Sequence, residues 1–406
     1  MSFLALDPPD GRRARFSPRA MTLYSALTAA TFLASAAAPT PLYQHYQAAF
    51  GLGSGALTVI FALYALSLLF ALLTVGALSD FVGRRPVILA ATLINVLAMV
   101  VFMTADSAIS LGAARIVQGF GTGMATTALG AAILDTDRKL GPLLNSVTAF
   151  TGLFFGALGS GILVSWAPEP TVLIYLVLLL LSALQALLIF WMPETTQRRP
   201  GALRSLLPEV RLPREARRSF LHVSPVNIAG WALGGLNFSL MPALVGLAEG
   251  HSAPLTGTLV VATLMAGAVL AVAGLRLWPA ERALIAGTLA LAIGMALALL
   301  ALALASVPVI FLGVVLAGAG FGASFSGAFR ELLPRATPED RAGLLATFYT
   351  ESYLAFSLPV ILAGVAAPHL GLDRTADVYG LAVILLALIS GGLFWRRMRA
   401  GRARAR

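Results

Sequence analysis

The sequence predicts an all-helical integral membrane protein of twelve transmembrane helices, arranged as two pseudo-symmetric halves of six. Three observations carry that reading. Apolar residues fill 58% of the 406 positions and charged residues only 11%, against roughly 45–50% and about 25% in soluble domains, so the exterior must face lipid. Apolar runs of about 20 residues recur from end to end, each able to cross a hydrocarbon core roughly 30 Å thick. Helices satisfy their own backbone in that medium, and no strand-like alternation competes with them. The third observation is charge placement: with the first terminus inside, all but two of the 28 lysines and arginines fall on the inner connections or termini. The exceptions are Arg115, within a span, and Arg374, in the last outer loop. That is the positive-inside pattern of a chain with both termini in the cytoplasm.

The spans read as 21–42, 54–78, 86–104, 108–134, 143–166 and 172–192, then 220–247, 255–275, 283–305, 307–329, 342–366 and 378–395. An offset of 201 residues sets Pro41 on Pro242, Gly119-Phe120-Gly121 on Gly320-Phe321-Gly322, and Leu143-Leu144 on Leu344-Leu345. These matches divide the chain into a first half at 1–192, an Arg-, Pro- and Glu-rich cytoplasmic linker at 193–219, and a second half at 220–406.

The first span follows Arg12, Arg13, Arg15 and Arg19 and ends near Ala36-Ala37-Ala38, which imitates a signal peptide. Cleavage there would leave eleven spans and break the internal symmetry, so retention is expected. The loop after the second span reads Gly76-Ala77-Leu78-Ser79-Asp80-Phe81-Val82-Gly83-Arg84-Arg85-Pro86. It resembles the G-x-L-x-D-x-x-G-R-R/K signature of the major facilitator superfamily. Gly83 permits a tight turn, and Asp80, at the negative end of its own helix, needs a favourable partner elsewhere. The resemblance implies that this partner is the start of the eleventh helix, that Arg84 pairs with Asp135 or Asp137, and that the contacts latch the outward-open state of a transporter. The second half keeps only a worn copy, Gly274-Leu275-Arg276 through Glu281-Arg282, without the aspartate.

In the fourth span, Arg115-Ile116-Val117-Gln118-Gly119 is similar to the family's R-x-x-Q-G motif. A buried arginine in a membrane normally faces the bundle interior, pairs with something and marks a substrate or proton route. The fifth span carries Gly152, Gly156, Gly159 and Gly161, a degraded form of the glycine motif of drug:proton antiporters in which Ala157 replaces the proline. Close packing of helices explains these glycines nearly as well. The linker either is a plain tether or carries a short amphipathic helix. In the eleventh span stands Glu351, with Arg115 the only charge inside the spans. A carboxylate among apolar helices can load and release a proton, which proton-coupled transport requires. Alternatively, Glu351 pairs with Arg115 or caps a neighbouring helix.

The resemblance places the solute cavity between the first, fourth, seventh and tenth helices. Tyr24, Thr28, Arg115, Gln118, Asn227, Trp231, Asn237 and Ser324 are its candidate polar lining, a mixture suited to an amphipathic or neutral organic molecule. The first span lacks the acid found in many cation-selective antiporters of the family.

The implied function is proton-coupled export of drug-like or amphipathic compounds. The alternatives are proton-coupled uptake of a sugar, organic acid or amino acid, and, from another class, a non-transporting membrane sensor. The net charge of +10 gives no basic face joined to an aromatic platform, so nucleic acid is excluded. There is no cysteine, and His45, His222, His251 and His369 are scattered, so neither a disulfide nor a metal site is expected. No nucleotide-binding phosphate loop is present, nor the interfacial cluster of acids and histidines that an enzyme would need. The partners are thus a small molecule, protons and the bilayer, with no cofactor. One chain suffices for the architecture, and a bacterial inner membrane fits the compact loops.

Overall fold

The computed structural model describes residues 16–250, 254–337 and 340–404; Arg12, Arg13, Arg15, His251 and Arg406 lie outside them. The first half is built from α1 (Pro18–Ala37), α2 (Tyr43–Phe50), α3 (Ser54–Val75), α4 (Ser79–Val82), α5 (Arg84–Met103), α6 (Ala108–Thr136), α7 (Gly141–Trp166) and α8 (Pro170–Leu188). The second comprises α9 (Arg214–Ser239), α10 (Met241–Glu249), α11 (Pro254–Gly274), α12 (Ala280–Ala303), α13 (Val307–Leu332), α14 (Arg341–Leu370) and α15 (Leu372–Arg404). Among the described residues no strand occurs. Eleven helices among the described residues are long and apolar enough to span a bilayer, and the bent pair α9–α10, counted as one span, makes twelve.

Two spans depart from the straight rods expected. The first ends at Ala37 and resumes as α2 after a turn through Pro39 and Pro41. The seventh breaks at Leu240 and bends by 55°, with Pro242 opening α10. Proline cannot donate its backbone nitrogen, so each break falls where the helical ladder has lost a donor. Of these, Pro41 and Pro242 are the pair that the internal repeat superposes.

Packing repeats in the same way. Within the first half α1 packs on α6, α7 and α8, α3 on α6, and α5 on both α6 and α8. The second half repeats every contact: α9 with α13, α14 and α15, α11 with α13, and α12 with α13 and α15. The halves meet through α3 against α14 and α7 against α11, which are equivalent interfaces under the repeat. Helices α8 and α15 stand outermost and turn rows such as Leu181, Leu184, Leu187 and Leu381, Leu385, Leu388 outward, as lipid-facing surfaces require.

Candidate functional site

At the end of the bundle where α1 begins and α15 ends, Gly83 takes φ 104° between α4 and α5, a conformation that favours glycine. The turn aims Arg84 inward, where it is buried. Its Nε donates to Asp135 at 3.1 Å and its Nη1 to Ser79 at 2.7 Å. Asp80 also pairs with Arg84, one helical turn away, and is not bonded to the start of α14; its side chain is 55% exposed. Among the described residues the implied contact across the halves is therefore not made. Of the two acids offered for Arg84, Asp135 is the partner. Asp137 instead accepts from the backbone of Lys139 and Leu140 and shapes the turn into α7. Gly76 sits where α3 passes Thr127 of α6, with a Cβ position 3.4 Å from the Thr127 methyl.

Glu194, just beyond α8, completes this corner. Its carboxylate accepts from the backbone N–H groups of Arg84 at 2.8 Å and Arg85 at 3.1 Å. These are the first, otherwise orphaned donors of α5, at the positive end of its dipole. Arg85 reciprocates by donating to the carbonyls of Ile189 and Phe190 at the end of the sixth span, at 3.1 and 2.9 Å. The sequence signal was an acid directly behind a span in a stretch otherwise rich in arginine.

Arg115, 1% exposed, lies at the break of the first span. Ser35 would normally bond its carbonyl to residue 39, but Pro39 has no N–H; Gln118 Nε2 takes its place at 2.8 Å. Arg115 Nη1 donates to the carbonyl of Ala36 at 2.9 Å and to Gln118 Oε1 at 2.8 Å, and Ser160 donates to the carbonyl of Ala38 at 2.6 Å. Arg115 also donates to the Tyr43 hydroxyl from Nε and Nη2. Tyr64 and Phe102 face its guanidinium at 5.2 and 6.0 Å. The cation is compensated by the negative end of α1 and by aromatic faces, without a bonded carboxylate. The alternative in which it pairs with Glu351 is not realised.

Glu351 projects from α14 toward α9. Its carboxyl takes a hydrogen bond from Asn227 at 2.7 Å and another from Ser224, while Asn227 also donates to Ser352 at 3.0 Å. No basic side chain is bonded to it among the described residues. One turn further along α9, Trp231 enters an aromatic basin with Tyr353 at 5.0 Å, Phe321 and Phe356 each at 5.9 Å, and Phe325 at 6.1 Å. Phe150 of α7 closes on Phe321 at 5.4 Å from the other half. Among the described residues the buried Trp231 indole N–H has no hydrogen-bond partner.

The family model described as Major Facilitator Superfamily matches residues 23–358, most of the chain. The protein belongs to the major facilitator superfamily. It is accordingly a multi-pass membrane transporter of a small molecule and not an enzyme. Its fold is similar to that of the human organic anion transporter MFSD10 (TETRAN), at 18% identity and TM-score 0.65 over 93% of this chain and 100% of that one. The nucleoside transporter NupG gives 11% identity and TM-score 0.68 over 92% and 100%. The proton:xylose symporter XylE, solved with 6-bromo-6-deoxy-D-glucose, gives 16% and 0.67 over 91% and 94%. At such identities the likeness is one of fold. Comparison with curated proteins gave no sequence match.

Within this facilitator, several residues assigned to the cavity point elsewhere. Tyr24 donates to the carbonyl of Gln185 in α8 at 2.9 Å, and Thr28 lies on the same buried stripe of α1, between Tyr24 and Thr31, which bonds Gln185. Packing inside the half claims both. Ser324 faces Gly287 of α12, and Asn237 donates to Leu233 of its own helix. Gly152 and Gly156 lie against Ala30 and Ala34 of α1, and Gly161 against Thr258 of α11, whereas Gly159 has open space beside it. The second half has its own inner brace. Arg330 donates to the carbonyls of Arg276 and Trp278 at 3.2 and 2.5 Å, and Glu331 bridges Arg335 at 3.0 Å and Arg397 at 2.5 Å.

Proposed function

We propose that this facilitator exports aromatic, amphipathic organic compounds in exchange for protons, by alternating access about the centre of the bundle, with Glu351 as the proton-carrying group. The observation that carries the reading is the environment of Glu351. It is the one acidic residue placed in the middle of a span, and its partners Ser224 and Asn227 are neutral. A serine hydroxyl donates to a carboxylate and accepts from a carboxylic acid, so the site keeps its hydrogen bonds in either protonation state. An intramembrane ionisable group without a counter-ion is a functional site by default. The adjoining basin of Trp231, Phe321, Phe325, Tyr353 and Phe356 supplies apolar, polarisable walls, and the free indole N–H supplies a directional donor for a solute.

The corner around Arg84 belongs to the same cycle. Here Asp80 is half exposed beside Arg84; in the opposite state it engages the start of α14 and latches the halves. Arg115 and Gln118 serve the cycle by holding the broken end of the first span.

The test is flux of a panel of dyes, sugars and organic acids in proteoliposomes under an imposed pH gradient, comparing the wild type with Glu351→Gln. Gradient-driven dye movement that Glu351→Gln abolishes, with exchange of unlabelled for labelled dye retained, is the expected result. Movement of a sugar or acid together with protons overturns the export reading. Wild-type coupling in Glu351→Gln overturns the proton site.

A further inference from the structure

The linker between the halves is neither a slack tether nor a continuous amphipathic helix. It is held at two points. Near its start the Arg199 N–H donates to the Phe81 carbonyl at 2.8 Å, and Gly201, at φ 109°, brings the chain to the Phe81 ring, its Cβ position 3.3 Å away. Near its end the Arg211 N–H donates to the Gly343 carbonyl at 3.3 Å, and the Arg211 guanidinium stands 3.8 Å from Asp340. Between these anchors a single 3-10 turn, Arg204–Leu206, packs on α3. The apolar side chains of this stretch do not all turn inward. Leu203 is 85% exposed, Leu207 68% and Val210 51%, while Leu206 is partly buried. Positive charge accompanies them: from Thr195 to Ser219 the chain carries seven arginines against two glutamates. Arg198, Arg199, Arg204 and Arg214 are exposed and, among the described residues, enter no ion pair.

We propose that the linker is a lipid-docking strap: Leu203 and Leu207 enter the leaflet on its own side of the membrane, and Arg198 and Arg204 hold the headgroups of anionic phospholipids there. The position suits this. The turn packs on α3 close to the anchor at Phe81, just past the end of a helix that shows Leu66 and Phe70 outward to lipid. It therefore lies at the edge of the bundle, where acyl chains give way to headgroups. Exposed apolar side chains rimmed by cations mark a surface that meets a membrane. Two leucines bury too little area to hold a segment there alone, and attraction of a basic stretch to an anionic surface supplies the second force. The guanidinium is a planar fork that matches two phosphate oxygens, which arginine does better than lysine. With both ends of the strap already fixed, little chain entropy remains to be lost on docking. Beyond Pro208, Glu209 is exposed and of the opposite charge, so it stays in water. The inference is independent of the solute, the proton carrier and the latch.

The chain contains no cysteine, so a single nitroxide can be placed through Leu203→Cys, Leu207→Cys or Glu209→Cys without other changes. In the full-length protein in nanodiscs, power saturation compares collisions with oxygen, which concentrates among acyl chains, and with a water-soluble nickel chelate. In phosphatidylcholine mixed with phosphatidylglycerol, the labels at Leu203 and Leu207 should favour oxygen and the label at Glu209 the chelate. In phosphatidylcholine alone the oxygen preference at Leu203 and Leu207 should fall. Arg198→Gln combined with Arg204→Gln should lower it as far in the mixed lipid. Every position changed is exposed, so the variants should elute as the wild type does. Labels at Leu203 and Leu207 that meet the chelate freely in both lipids overturn the proposal. Equal immersion in both lipids overturns it as an anionic-lipid site, because the arginines would then be bystanders. Labels shielded from both agents in both lipids would mean that the leucines pack on protein, a second copy or a soluble chain, and overturn it as well.

Discussion

Arg115 shows how one charge can be retained in a membrane without a counter-charge. Insertion scales put an arginine at the bilayer centre at roughly 2.5–3.5 kcal/mol. Here the cost is met by carbonyls that the proline-bearing turn has already released: Gln118 serves Ser35, and Arg115 serves Ala36. The R-x-x-Q spacing places both side chains on one face of α6, one turn apart, opposite the broken end of α1. Arg115→Ala should lower stability by about 1–3 kcal/mol, the cost of leaving a buried acceptor unsatisfied, read as a thermal shift in detergent. Arg115→Lys should recover little of it, since an ammonium cannot reach Tyr43 and Ala36 with a planar fork. A lysine variant as stable as wild type would show that charge alone matters there.

At the level of helices, the glycines of the fifth span divide into two tasks that the motif does not separate. Gly152 and Gly156 let α7 lie against the backbone of α1 inside one half, where a Cβ on Gly152 would stand 2.6 Å from the Ala30 carbonyl. Gly161 faces the other half. Gly156→Val therefore meets fixed backbone that has nowhere to move, and should destabilise the protein by roughly 1–3 kcal/mol, as overpacking does. Gly159→Val, with no atom within 4 Å of its Cβ position, should leave the melting temperature unchanged. Equal melting temperatures for the two variants would contradict this assignment.

At the scale of the whole molecule, the ionic contacts among the described residues lie mostly within a half: Arg84 with Asp80 and Asp135, and Glu331 with Arg335 and Arg397. The ion pair that leaves this pattern is Arg211 of the linker with Asp340, at 3.8 Å. These braces tie helices of the same half to one another. Asp80→Asn should accordingly change stability by no more than about 1 kcal/mol, the usual worth of an exposed pair. It should nevertheless slow transport, because the latch contact proposed for Asp80 belongs to the opposite state. Wild-type transport in that variant would remove the latch.

Fold class, span count and repeat were legible because they rest on composition and periodicity, which act locally. A run of apolar residues has one stable answer in lipid, and arginines do not cross it. Motifs carried the Arg84–Asp135 pair and drew attention to Arg115, and the scarcity of charge inside the spans singled out Glu351. They did not carry the direction of side chains: Tyr24 and Thr28 are as polar as Ser224, yet packing turned the former into one half and left the latter beside Glu351. Glu194 and Arg84, like Trp231 and Tyr353, are separated by more than a hundred positions, so only the bundle brings them together. Composition and charge order determined that this chain crosses a membrane twelve times in two related halves. The tertiary structure alone decided which buried group meets which, because inside a bilayer specificity comes from close contact and hydrogen-bond partners, and neither exists until the helices are packed.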